Sequence, residues 1–263
     1  MRALRPISTR LAYWGIRGAS AWLLALWLLA MISIPIQRWV WGEGAVLRGF
    51  IIGVLLQVLV VLVLLHRIAG LSRTLQAVVG IALFAWAIEW VGISTGLPFG
   101  QYHYSDRLQP QLVGVPLLIP LAWLMMIPPC WAVAARMTRR FPTGRRPVKY
   151  WMFCLVSALA FTAWDLFLDP QMVRWSLWAW DQPGGYFGIP WTNFVGWVLA
   201  AALLTALLRP RPVPDVALAI VYCLTWALES VALVFFWGLA GPGIVGFAVM
   251  GMFVVLTFLA EDL

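Results

Sequence analysis

The stretch AVLRGFIIGVLLQVLVVLVLL, residues 45–65, contains one charged side chain, Arg48. A spanning helix needs about 20 predominantly apolar residues, so this run predicts a transmembrane helix. Comparable runs recur over 19–36, 75–94, 113–135, 150–168, 187–208, 214–238 and 243–260. The last is short and is separated from its predecessor only by the turn Gly238 to Gly243, which makes seven spans with a re-entrant end the fallback. The first run follows Arg2, Arg5, Arg10 and Arg17 as the core of a signal peptide would. No small-residue cleavage site is evident after it, so it reads as a retained helix. The expectation is an all-α, polytopic transmembrane helical bundle of about eight spans, with residues 1–263 forming a single integral membrane domain.

Composition leads to the same class. Of 263 residues, 63% are hydrophobic and 11% charged, where a globular chain has about a quarter charged. The longest strongly polar stretch, Arg136 to Lys149, is a loop, which leaves no room for a soluble catalytic domain. Chemistry must therefore occur within the bilayer or at its edge. With only His66 and His103, neither a His-rich di-iron centre nor a multi-haem site can be assembled from imidazoles. Cys130, Cys154 and Cys223 lie in apolar runs without C-x-x-C spacing. They read as small buried hydrophobes rather than disulfides or metal ligands. The net charge of +8 is a matter of topology, since the basic residues fall at the ends of apolar runs, and no nucleic-acid partner is implied. With the N-terminus inside, 14 of the 18 Lys and Arg residues lie on the inner side, and Arg38, Arg48, Arg107 and Arg174 lie outside. The excess of basic residues in cytoplasmic loops thus predicts N-in, C-in.

Of the ten carboxylates, six lie in loops, at a span's inner edge or at the terminus, which leaves Glu89, Asp165, Asp169 and Glu229 in the outer part of the predicted spans or at their outer end. On this topology all four occupy the outer half of the membrane. The two longest outer loops, 94–116 and 169–190, are also the most patterned. A carboxyl in hydrocarbon is costly and normally faces a bundle interior or a wet cavity. Removal from water disfavours an ionised carboxyl, and two close carboxyls differ in their hold on a proton, so such a pair can divide into acid and base. Asp165 and Asp169, four apart, share a helix face.

Plainer alternatives exist for each residue. Asp169 precedes Pro170 and can simply mark a helix end. Asp165 and Glu89 can be interhelical hydrogen-bond glue. Glu229 sits in a context, Trp226-Ala227-Leu228-Glu229, like Trp86-Ala87-Ile88-Glu89, which hints at an internal repeat or at chance in a Trp- and Ala-rich chain. Aromatic residues near the outer surface are expected as an interfacial belt. Tyr102, Tyr104, Trp164, Trp178, Trp180 and Tyr186 nevertheless share segments with the carboxylates. Aromatic faces stabilise cations, most strongly in a dry site, so acids with aromatics suit carbocation chemistry on an alkene. His103 is either a loop hydrogen-bonder or a proton-transfer group; His66, at an inner helix end, reads as structural. Asn193 either orients a water or carboxylate or packs. Pro116, Pro120, Pro128 and Pro129 are expected to kink the fourth helix and make it a wall of the site.

The stretches TGLPFGQYHY (95–104), Gly114-Val115-Pro116-Leu117 with Ile119-Pro120 and Trp123, AWDLFLDPQM (163–172), and GYFGIP (185–190) with Asn193-Phe194 and Gly196-Trp197 carry a family resemblance. Together they resemble the carotenoid biosynthesis membrane-protein family that contains the carotenoid hydratases acting on acyclic ends, of the γ-carotene and bisanhydrobacterioruberin type. The similarity covers about residues 89–197; Gln109 stands where a glycine is expected. The resemblance implies cofactor-independent addition of water to the terminal double bond of an acyclic or monocyclic carotenoid, giving a tertiary alcohol. It also implies a prokaryotic cell (inner) membrane, contact with membrane lipid, and association with other carotenoid-pathway enzymes. In this reading Asp165 or Asp169 protonates the alkene, aromatic faces shelter the cation, and Glu89 or Glu229 deprotonates water. No metal is expected.

Three rivals follow from the same residues. A membrane prenyltransferase also uses paired aspartates, but it needs Mg²⁺ and basic residues around a diphosphate. Here only Arg107 and Arg174 are near the pair. A carotenoid cyclase starts from the same protonation and differs in what captures the cation. A non-catalytic pigment- or lipid-binding subunit would use the carboxylates as packing glue.

Overall fold

The computed structural model describes residues 16–139, 146–211 and 215–259. Of the charges used above, Arg2, Arg5, Arg10, Arg140, Arg145, Glu261 and Asp262 lie outside the described residues. Among the described residues eight helices are long and apolar enough to cross a membrane, and the protein is an integral membrane protein. They are α1 Ala19–Trp41, α2 Glu43–Ala69, α3 Leu71–Thr95, α4 Leu118–Thr138, α5 Arg146–Arg174, α6 Trp191–Leu208, α7 Val216–Val231 and α8 Ala240–Phe258. A π-helical turn, Ala232–Phe236, extends α7. Four short strands complete the fold: β1 Tyr102–Tyr104, β2 Gln111–Leu112 and β3 Val115–Pro116 between α3 and α4, and β4 Trp178–Trp180 between α5 and α6.

Single glycines make the first two hairpins. Gly42 and Gly70 adopt φ 78° and 79° with ψ near 180°, a region essentially confined to glycine. The helices therefore run up to these residues, and the spans are longer than apolar content alone predicts. Pro116 falls in β3 and Pro120 in the first turn of α4, where no N–H partner is lost, so only Pro128 and Pro129 interrupt the helix interior. Asp169-Pro170 does not end α5, which continues to Arg174. Proline at 170 cannot donate to the Leu166 carbonyl four residues earlier. Tyr186 Oη donates to it instead, at 3.0 Å.

The helix that holds the bundle together is α4, which contacts α2, α3, α5, α7 and α8. Outer helices instead carry exposed stripes: Leu71, Leu75, Val79 and Leu83 on α3, and Val195, Leu199, Leu203 and Leu207 on α6. A four-residue repeat keeps one helix face toward lipid. Around Thr205 buried polar groups are matched across three helices. At Thr205 on α6, Trp131 Nε1 of α4 donates to Oγ1 (3.0 Å), Ser157 Oγ of α5 lies 3.2 Å from Oγ1, and Tyr150 Oη donates to the main-chain carbonyl (3.1 Å). At the same end Arg67 meets Asp215 at 3.5 Å.

At the opposite end the two patterned loops fold together. β1 pairs antiparallel with β4, Tyr102 opposite Trp180 and Tyr104 opposite Trp178. The 97–99 segment seats against α6 at Gly196, where an added Cβ would come within 2.7 Å of the Pro98 carbonyl oxygen. Glycine is required here by the closeness of two backbones.

Thr205→Val preserves shape but leaves the Trp131 N–H buried without an acceptor. It should lower stability by about 1–3 kcal/mol, read as a lower thermal midpoint in detergent. An unchanged midpoint would remove Thr205 as the fastening point of α4, α5 and α6.

Candidate functional site

Strand alternation places the aromatics. Successive side chains of a strand point to opposite faces. Tyr102 and Tyr104, with their cross-strand partners Trp180 and Trp178, therefore turn inward, and the intervening His103 and Ala179 turn outward. His103 is exposed, its Nδ1 3.1 Å from Asp181 Oδ1. It is not brought to the cavity, and the Tyr-His-Tyr alternation is the reason.

The four membrane carboxylates all lie in about the last two or three turns of α3, α5 and α7, toward the paired loops. Each is buried, and each is held by a donor from a different segment. Glu89 Oε2 accepts from Tyr102 Oη and, at 2.7 Å, from Tyr104 Oη. Gly92, one turn on, makes room for this, since a Cβ there would lie 2.8 Å from Tyr102 Oη. Asp165 and Asp169 converge on one amide: Asn193 Nδ2 donates to Asp165 Oδ2 at 3.0 Å and also to Asp169 Oδ2. Trp178 Nε1 donates to Asp169 Oδ1 at 3.1 Å. Glu229 Oε2 accepts from Gln171 Nε2. Near it, Gln57 Nε2 donates to Thr225 Oγ1 at 3.2 Å and faces Met126 Sδ at 3.3 Å.

One cavity joins these groups. Glu89, Asp169 and Glu229 line it, with Asn193, Gln57 and Thr225, and its walls are Phe99, Tyr102, Tyr104, Trp123, Trp164, Trp178, Trp180 and Trp197. It holds about 70 Å³ of water-sized free space. Asp165 is fully buried behind Asp169, linked to the wall through Asn193. Tyr186 is likewise behind it, committed to the Leu166 carbonyl. Trp123 and Trp197 stack at 5.4 Å, both against Phe161 at 4.9 Å. Trp123 Nε1, Trp164 Nε1, Asp165 Oδ1 and Gln171 Oε1 are buried without a hydrogen-bond partner. Trp123 and Trp164 line the cavity, and Asp165 and Gln171 are hydrogen-bonded to residues that line it.

Sequence reasoning did not single out Gln57, Gln171, Trp123 or Trp197 as site residues. Gln57 carried a usable signal, being the one uncharged polar side chain in the run 45–65. The two tryptophans stand in the stretches that carry the family resemblance, but composition and spacing alone did not set them apart from the other Trp residues. Among the described residues no three His, Cys, Asp or Glu side chains are grouped to hold a metal ion.

The tyrosines of β1 feel this environment. Burial, then the nearby Glu89 charge, pushes the Tyr102 and Tyr104 phenols well above the usual value of 10. Burial, then Asp165 and Asp169, raises Tyr186 as well. These phenols remain hydrogen-bond donors across the ordinary pH range.

The sequence model of a family described as carotenoid biosynthesis protein matches residues 49–257, beginning inside α2 and leaving α1 outside. A bisanhydrobacterioruberin hydratase of Haloarcula japonica is 30% identical over 145 residues, 55% of this chain and 46% of that relative. The match thus spans about half the length of the curated relative. No solved structure matches the chain.

A phenol with a raised folded pKa adds stability that is complete below its unfolded value, near 10, and is lost as pH climbs through the folded value. In an alkaline titration followed by tyrosinate absorbance, fewer than the six tyrosines should ionise while the helices persist. Ionisation of all six near pH 10 with helicity intact would contradict the buried placement of Tyr102 and Tyr104.

Proposed function

Because the chain belongs to the carotenoid biosynthesis protein family, we propose that it is a carotenoid hydratase, adding water to the terminal double bond of an acyclic carotenoid end group. The observation that carries this reading is the convergence of Glu89, Asp169 and Glu229 on one aromatic-walled cavity among lipid-embedded helices. The hydratase activity of the Haloarcula relative supports the same reaction class.

Asp169 is the acid. Its carboxyl O–H bond breaks as a C–H bond forms at the less substituted alkene carbon, leaving a tertiary cation on the other. Asp165, sharing the Asn193 amide with Asp169, positions the acid and takes part in restoring its proton. The cation lies against the indole and phenol faces of Trp123, Trp178, Trp180 and Tyr102, where dry cation–π contacts contribute about 2 kcal/mol or more each. Glu89, gripped by two phenols, places an acceptor charge beside it. Water held near Gln57, Thr225 and Glu229 attacks the cation; its C–O bond forms as Glu229 takes the released proton. Return of that proton from Glu229 through cavity water to Asp169 resets the acid, so the net change is addition of one water, with no redox step and no cofactor. By the distribution of basic residues, the site is proposed to occupy the extracytoplasmic half of a prokaryotic cell membrane, N-in and C-in.

Expression in cells that make lycopene or γ-carotene, with product mass measured, tests the reaction. A gain of one water is expected; an isomer of equal mass would assign a cyclase instead, and unchanged bound pigment a binding subunit. Asp169→Asn and Glu229→Gln should each lower hydrated product by roughly 10²–10⁴-fold in folded protein, while His103→Ala leaves it near wild type. Chelation of divalent cations should have no effect; dependence on Mg²⁺ and an isoprenyl diphosphate would favour a prenyltransferase. Wild-type product from Asp169→Asn would overturn the assignment of the acid.

A further inference from the structure

The inner cavity is far too small for a whole carotenoid, whose extended chain is comparable to the thickness of the hydrocarbon core. A second cavity, of about 530 Å³, lies at the seam between α1 and α7 and is almost wholly apolar. Met31, Phe50, Leu228 and Glu229 line both cavities. The two spaces therefore adjoin at these side chains, and Glu229 stands at the boundary.

The seam itself is built to stay open in the middle. α1 packs chiefly on α2. Toward the basic end it closes on α7, where Leu24 and Trp27 join Ala217, Leu218 and Val221 in a buried cluster. At the other end its tip is tied down: Arg38 Nη1 donates to the Phe236 carbonyl at 2.9 Å, and the Arg38 guanidinium lies 5.7 Å from the Trp237 ring centre. That carbonyl belongs to the π-helical turn 232–236, and such turns are frequent at functional sites. Between the two closures, the cleft is walled by Ile32, Pro35, Ile36, Ala227, Val231 and Ala232. Ile32, Ile36 and Val231 are exposed, toward lipid.

We infer that the α1–α7 cleft is the binding groove and lateral portal for the polyene chain, which lies in it end-on with only its terminal group in the inner cavity. The occupant's identity rests on the hydratase reading above; the wall that the groove shares with the carboxylate cavity does not. End-on seating means that one end group reacts per binding event. A substrate with two reactive ends must leave and turn to be hydrated twice.

Ala227→Trp and Ala232→Trp fill the groove from α7, and Ile32→Trp fills it from α1. Leu199→Trp, on the lipid-facing stripe of α6, is the control. Each protein is expressed in lycopene-producing cells and purified, and the carotenoid retained per protein is read from visible absorbance, with hydrated product measured separately. The groove variants should retain roughly tenfold less carotenoid, equivalent to about 1.4 kcal/mol of binding, and the control should match wild type. Undiminished retention in all three groove variants, or no retention by wild type, would overturn the portal. Retention by wild type, lost in the groove variants, with no water added to any carotenoid, would sink the hydratase reading and leave the groove standing.

Discussion

Hydrocarbon offers no hydrogen bonds, so a carboxyl inside a membrane protein must be satisfied by the protein itself. Most of the unusual features at the loop end of this bundle follow from that requirement. Glu89 is met by the two phenols of β1, Asp169 by the Trp178 indole of β4, the aspartate pair by Asn193 of α6, and Glu229 by Gln171 of α5. Each donor sits on a different segment from its acceptor, so the carboxyls fix the relative positions of helices and loops alike. The β1–β4 ladder supplies the rigidity for this, since it delivers Tyr102, Tyr104, Trp178 and Trp180 to one face at once. The loops are folded back because the helices carry groups that need them.

The helical plan was legible in the amino-acid sequence because span length is set by an external ruler, the bilayer. Eight runs gave eight helices, and the short final run proved long enough once Gly238 ended the preceding segment. What the apolar pattern missed was decided by local backbone chemistry. Gly42 and Gly70 extend neighbouring helices up to single-residue turns. Pro170 does not stop α5, because the lost Leu166 acceptor interaction is replaced from outside by Tyr186.

The site was legible as an inventory and not as an arrangement. Buried charge in an apolar chain is rare enough to stand out, so Glu89, Asp165, Asp169 and Glu229 were visible at once. Which of them face a common space depends on helix rotation and on position along the helix: Asp165 and Asp169 share a helix face, but only Asp169 lines the cavity. The alternation in Tyr-His-Tyr and Trp-Ala-Trp would have turned His103 outward had those residues been read as strands rather than loops. Trp123 and Trp197 were hidden for a different reason. In a chain with 18 tryptophans a residue type carries little information, and only packing distinguishes a wall from a belt.

The two cavities also bear on what captures the proposed cation. Cyclisation requires the chain to fold back so that an internal double bond reaches the cationic carbon, which demands width close to the acid. Hydration requires only the end group, one water and a base. The space beside Asp169 is narrow, while the larger space lies along the α1–α7 seam, beyond Met31, Phe50 and Leu228. In the end-on pose the polyene is held extended in that outer groove, so its next double bond is kept away from the reacting carbon. Gln57 and Thr225 line the inner cavity together with Glu229, and in the proposed pose a water held there lies beside the end group. In the proposed pose, a wide outer groove beside a tight inner pocket would disfavour the internal nucleophile and favour water.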